Sequence, residues 1–167
     1  KPIDWAIPFF VLLIVTEMVF AKRTGGARFE TRDSAASLMM GLGSTVSTIL
    51  YGGLIGAWLV FVYDFRLLDI PFAWWVWPIA LVLDDFFYYW SHRWAHTVRW
   101  FWAEHVIHHS SQHYNLTTAL RQPWTGLFTL KWLWLGSAMV LIGFHPVMVA
   151  IVGGINLVYQ FWIHTEA

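Results

Sequence analysis

The chain divides into apolar blocks, each several helical turns long, separated by short polar stretches. Ile3 to Ala21 is an apolar run interrupted by Asp4, Pro8 and Glu17. It matches the roughly 20 residues that cross a bilayer as a helix. Ala35 to Tyr63 is the most apolar block, and Gly41, Gly43, Gly52, Gly53 and Gly56 give it small faces suited to close approach by another helix. Phe72 to Trp90 predicts a third span, rich in tryptophan at its start and closed by Tyr88, Tyr89 and Trp90, rings that favour a membrane interface. Leu127 to His164 is too long for one span. Gly143 to Pro146 divides it into two helices of about 17 residues each, a re-entrant or hairpin pair.

Composition agrees with the pattern. Of the 167 residues, 58% are hydrophobic and only 12% charged, well away from the soluble average. The expected fold is an all-α integral membrane protein, a helical transmembrane bundle with a histidine-rich cap. Residues 1–80 form its N-terminal transmembrane helices and residues 81–167 its site-bearing part. Ten basic and ten acidic residues cancel, with no basic stripe, which excludes a nucleic-acid partner. The absence of cysteine excludes disulfides, iron–sulfur clusters and thiolate ligands, so any metal must be held by nitrogen or oxygen.

Basic residues set the expected orientation. Lys22, Arg23, Arg28 and Arg32 lie in the first polar loop, only Arg66 in the second, and Arg93, Arg99 and Arg121 in the third region. The first and third are therefore expected in the cytoplasm, and the final hairpin should return His164 to that side. The chain starts at Lys1 and ends at Ala167 straight after an apolar run, which reads as a fragment cut at both ends. Lys22 to Arg32 offers no clear signal-peptide cleavage site.

Six of the eight histidines fall between Ser91 and Gln122. His92 and His96, at i and i+4, project from one face of the extended third helix, about one turn apart. His105, His108 and His109 repeat the logic at i, i+3 and i+4, which predicts three imidazoles on one side of a second short helix. Imidazole without thiolate suits iron, zinc or copper, and five or more such ligands exceed one tetrahedral site, which points to two ions. Asp85, close to two turns before His92, is the candidate to hold a ligand ring by hydrogen bonding, with Asp84 directed elsewhere. His113 is open between ligand, supporting partner and loop residue. His145, in the Gly-Phe-His-Pro turn, reads as a loop histidine.

The runs Asp85-Phe86-Phe87-Tyr88-Tyr89-Trp90-Ser91-His92-Arg93-Trp94-Ala95-His96 and Glu104-His105-Val106-Ile107-His108-His109 resemble the fatty acid hydroxylase and sterol desaturase superfamily. Tyr114 to Gln122 and Tyr159 to Glu166 look most like its alkylglycerol monooxygenase branch. The resemblance implies a membrane di-iron oxygenase that uses dioxygen to hydroxylate or desaturate a sterol, fatty acyl chain or alkylglycerol. It implies His92, His96, His105, His108, His109 and His164 as ligands of two iron ions. An external electron donor is implied as well, tetrahydrobiopterin in the alkylglycerol branch. The expected location is a bacterial inner membrane or the endoplasmic reticulum. The family's last HxxHH box, some twenty residues beyond the position of His164, has no counterpart here, so the fragment itself is expected to be inactive. Two other classes compete: a membrane b-type haem electron carrier, which needs paired histidines at mid-membrane depth, and a metal transporter, which needs ligands near the bilayer midplane.

Overall fold

The computed structural model describes residues 2–25 and 28–165. All its regular elements are helical: α1 (Pro2–Thr24), α2 (Thr31–Tyr63), α3 (Val76–Thr97), α4 (Arg99–His105), α5 (Trp132–Ile142) and α6 (Pro146–Phe161). Two short 3-10 turns, His108–Ser110 and Thr118–Leu120, lie between α4 and α5. Helices α1 and α2 are long and apolar enough to cross a membrane, and only 11% of each apolar window is buried. A core helix of a soluble protein hides its apolar face; Trp5, Phe9, Ile49 and Leu50 instead stay exposed, as side chains facing lipid do.

The main core lies where α2, α3, α5 and α6 meet, around Leu59, Val76, Ala80, Met139, Val140, Met148 and Val152. A smaller cluster joins Ile14 of α1 to Leu116 and Phe161, and the Phe10 and Phe161 rings stack with centroids 4.1 Å apart. Glu17 is buried in this second contact, where its carboxylate accepts the Leu116 N–H at 2.8 Å and the Thr165 hydroxyl. A carboxylate on an apolar helix is costly unless hydrogen-bonded. Here it anchors the loop after the histidines.

Three sequence expectations change in the structure. Of the final pair, expected as two helices of about 17 residues, α6 is close to that length at 16 residues, whereas α5 has only 11 because it begins at Trp132. Residues 127–131 are held in turns instead: Leu130 has a positive φ of 57°, and Thr129 donates to buried Glu104 and to the Gly126 carbonyl. The third helix starts at Val76 rather than Phe72 and runs on to Thr97. The α2 glycines do not form one helix-facing stripe. A Cβ on Gly43 would stand 2.1 Å from the Trp124 ring, so that glycine admits a loop, while Gly53 and Gly56 face open space.

The break at Gly143 is as expected. Its φ is +132° and a Cβ there would lie 2.1 Å from the Leu68 carbonyl oxygen, so glycine alone suits the position. His145 then caps α6, its Nδ1 accepting the Val147 N–H at 3.2 Å.

Candidate metal centre

Helix α3 ends at Val98, whose extended backbone (φ −96°, ψ 117°) is at once its C-cap and the N-cap of α4. Thr97 and Val98 are both β-branched, and such side chains weaken a helix. The reversal lays α4 against the end of α3 and brings the two histidine pairs together. The Nε2 atoms of His92 and His96 are 3.1 Å apart, those of His96 and His105 3.2 Å, and those of His105 and His109 3.1 Å. One ring nitrogen from each of the four lies within 4.8 Å of all the others. His105 is buried and His92 half-buried, whereas His96 and His109 are exposed, so the group opens on one side.

His108 goes elsewhere. Helix α4 ends at His105 and the chain tightens into a 3-10 turn at His108. The three imidazoles therefore do not share one side. His105 and His109 face the α3 pair, while the His108 Nε2 stands 3.2 Å from the Nε2 of His164, at the end of α6. The His108 Nδ1 is 3.1 Å from the Arg121 carbonyl oxygen and the His164 Nδ1 2.7 Å from that of Gln160. A carbonyl can only accept, so both rings carry their proton on Nδ1 and leave a lone pair on Nε2. The two groups adjoin, since the His105 and His108 rings stack at 5.7 Å and the His108 and His109 rings meet edge-on at 5.2 Å.

The donor set fits a transition-metal ion. Nitrogens held about 2.0–2.1 Å from one ion, at angles from 90° to tetrahedral, stand about 2.8–3.4 Å apart. The three successive separations of 3.1–3.2 Å fall inside that range. Burial, reinforced by His92 and His109, pushes His105 down to about 3. Burial likewise brings His108 to about 4, although the Arg121 carbonyl favours its protonated ring. Both are neutral at pH 7, the form that binds metal.

The supporting residues differ from those expected. Asp85 is exposed and makes none of the described hydrogen bonds; the buried carboxylate is Asp84, which accepts from Asn156 Nδ2 at 3.0 Å. Two turns separate Asp85 from His92 by about 10.5 Å along the axis, beyond the reach of a carboxylate. The ring of His92 is met one turn away, by the Tyr88 hydroxyl at 3.2 Å from Nδ1. The described hydrogen bonds of His113 run through its backbone, to the Ser111 and Thr118 hydroxyls, so it shapes the loop. Trp102 was missed by sequence reasoning, and its ring stacks on His109 at 5.9 Å. Arg121 was missed too: buried, it bonds to Asp33, Ser37 and Ser110 and so ties the histidine loop to the start of α2.

The fatty acid hydroxylase family model matches residues 77–167, more than half of the chain and all six clustered histidines. Alkylglycerol monooxygenase of Danio rerio is 37% identical over 99% of the chain, and that of Homo sapiens 36% identical over 96%. The Xenopus tropicalis enzyme is 34% identical over 98%. The chain spans only 37%, 36% and 36% of these three relatives, respectively. No solved structure gives a significant match. By the family match and the histidine boxes it covers, the chain belongs to the fatty acid hydroxylase family.

Proposed function

We propose that the protein is the histidine-bearing part of a membrane-bound, iron-dependent lipid monooxygenase, with an alkylglycerol as its first candidate substrate. The observation that carries this reading is the convergence of four imidazole nitrogens within 4.8 Å of one another, beside a second pair at 3.2 Å. His92, His96, His105 and His109 would hold one iron, and His108 with His164 would contribute to a second. Bound iron, reduced by an external donor such as tetrahydrobiopterin, would supply activation of dioxygen for attack on an unactivated C–H bond of the lipid.

The chain's own residues provide position and environment. The Tyr88 hydroxyl and the carbonyls of Gln160 and Arg121 meet ligand rings; the Trp102 ring packs against His96 and His109. The apolar faces of α1 and α2 would keep the 1–80 segment in the bilayer, with the histidine end of residues 81–167 on the cytoplasmic side. A membrane-dissolved tail would then reach the site laterally. The b-type haem alternative is disfavoured because neighbouring Nε2 atoms stand 3.1–3.2 Å apart, without space for a porphyrin. A transporter is disfavoured because the imidazoles collect at helix ends and Asp84 is engaged by Asn156.

The test is lipid oxidation by membranes containing the chain within its natural full-length protein, supplied with iron(II), dioxygen and tetrahydrobiopterin. Oxygen-dependent oxidation of an alkylglycerol, lost in His105→Ala, is the expected result. Turnover that survives His105→Ala, or no oxidation of any alkylglycerol, fatty acyl or sterol substrate by an iron-loaded protein, would overturn the proposal.

A further inference from the structure

Glu17 is only 5% exposed although α1 is apolar enough to cross a membrane. Its two carboxylate oxygens are taken by segments far apart in sequence: Oε2 accepts the Leu116 N–H at 2.8 Å and Oε1 accepts the Thr165 hydroxyl. Those two segments back the His108–His164 pair. Beside Leu116, Asn115 is fully buried, and its Oδ1 accepts the Thr117 N–H at 3.0 Å and the Thr117 hydroxyl at 2.6 Å. Turn bonds follow, from the Thr118 N–H to the Asn115 carbonyl at 2.9 Å, then from Leu120 to Thr117 and from Arg121 to Thr118, both at 3.0 Å. This hydrogen-bonded turn ends at the Arg121 carbonyl, the acceptor for His108 Nδ1. On the other side α6 ends at Phe161, so His164 stands beyond the last regular turn, and its N–H reaches back to the Phe161 carbonyl at 3.3 Å.

We propose that Glu17 is a positioning residue for the His108–His164 pair: by bonding Leu116 and Thr165 at once, it fixes the gap between the two imidazoles from within a membrane helix. The inference rests on the reading of these two histidines as ligands of a second ion. Helix ends fray unless groups outside the helix hold them. The 3.2 Å between the two Nε2 atoms serves one ion only while both segments stay in place. A second tie exists, since the Tyr114 hydroxyl donates to the Ile163 carbonyl. Tyr114 is 43% exposed, however, so water competes for that bond, whereas Leu116 at 6% and Glu17 at 5% exclude it. The use of an acid follows from the partners. Both are donors, and a carboxylate accepts at both oxygens; an apolar side chain would leave the buried Leu116 N–H unmatched, which is costly. Glutamine keeps both bonds, with its oxygen toward Leu116 and its amide donating to the Thr165 oxygen. His92, His96, His105 and His109 are carried by α3, α4 and the turn after α4, which receive none of the described hydrogen bonds of Glu17.

The test uses the full-length protein in lipid nanodiscs and two readouts. The first is cobalt(II) titration followed by visible absorption, the first ion being assigned by its loss in His105→Ala and the second by its loss in His164→Ala. The second is amide hydrogen exchange at Leu116, His164 and Thr165 in the metal-free protein. Glu17→Leu should weaken binding of the second ion by about 10-fold, the lower end of the usual loss for a group outside the coordination shell. It should leave the first ion unchanged and speed exchange at all three amides. Glu17→Gln should stay close to wild type in both readouts. Thr165→Val should weaken the second ion as Glu17→Leu does while Leu116 keeps its protection. Far-UV circular dichroism separates these effects from misfolding, and Thr165→Val covers a failure of Glu17→Leu to fold. Equal loss of both ions, which general support of the fold would give, overturns the proposal, as does an unchanged second ion in Glu17→Leu and Thr165→Val. Unaltered cobalt binding in His164→Ala overturns the ligand reading instead, so the two failures are distinguishable.

Discussion

Replacing Arg121 with Met should destabilise the protein by about 3–4 kcal/mol, near the lower end of the range for a buried ion pair broken on one side. The guanidinium donates to the Asp33 carboxylate at 2.8 Å, the Asp33 carbonyl at 2.9 Å, Ser110 at 3.0 Å and Ser37 at 3.1 Å. The side chains of Arg121 and Asp33 are only 7% and 12% exposed, so solvent screens the pair little. Four charged hydrogen bonds at about 1.5–3 kcal/mol each would sum to more, but they are not independent, and Ser111 continues to donate to Asp33 after the change. The assay is equilibrium unfolding in mixed micelles, followed by fluorescence of the thirteen tryptophans. Arg121→Met combined with Asp33→Leu should recover part of the loss, because no lone buried charge remains. A loss below about 1 kcal/mol, the value of an exposed pair, with no recovery in the double variant, would refute the reasoning.

Further consequences can be measured in the same preparation. Gly143→Ala forces a side chain into a φ of +132° and against the Leu68 carbonyl; strain of this kind costs about 1–3 kcal/mol, and thermal unfolding should move down accordingly. Acid should destabilise the metal-free protein. His105 and His108 titrate near 3 and 4 when folded and near 6.5 when unfolded, so the unfolded chain binds more protons between those values. Stability should be full above pH 6.5 and fall as pH drops toward 4, by at most about 1.4 kcal/mol per pH unit for each group; a flat profile from pH 7 to 5 would show these rings to be solvated. Glu17→Leu should release the loop at Leu116, seen as faster hydrogen exchange of that amide; unchanged protection would contradict the anchoring role.

Much of the architecture could be read from the sequence because its governing signals are local. Apolar length marked α1 and α2, Gly143 marked the turn between α5 and α6, and i, i+4 spacing marked His92 with His96 and His105 with His109. What escaped depends on where separate helices meet. Angular bearing on an isolated α3 favoured Asp85, but side-chain reach and the approach of α6 select Asp84 and Tyr88. Tyr88 lies four residues before His92, the same spacing that pairs His92 with His96. His108 left its neighbours because α4 tightens into a 3-10 turn, a change that spacing alone does not announce. Arg121 and Asp33 are 88 residues apart in sequence, so their pairing had no local signature.

The central claim is that these imidazoles form a metal cage, and iron coordination tests it most directly. The protein should be loaded anaerobically with iron(II) in nanodiscs, its iron content measured, and the iron environment read by X-ray absorption. The account predicts bound iron with a nitrogen-dominated, imidazole-rich coordination shell, from which His105→Ala or His109→Ala removes both iron and imidazole scattering. Iron that fails to bind, or binds through oxygen with a spectrum indifferent to both substitutions, would contradict it.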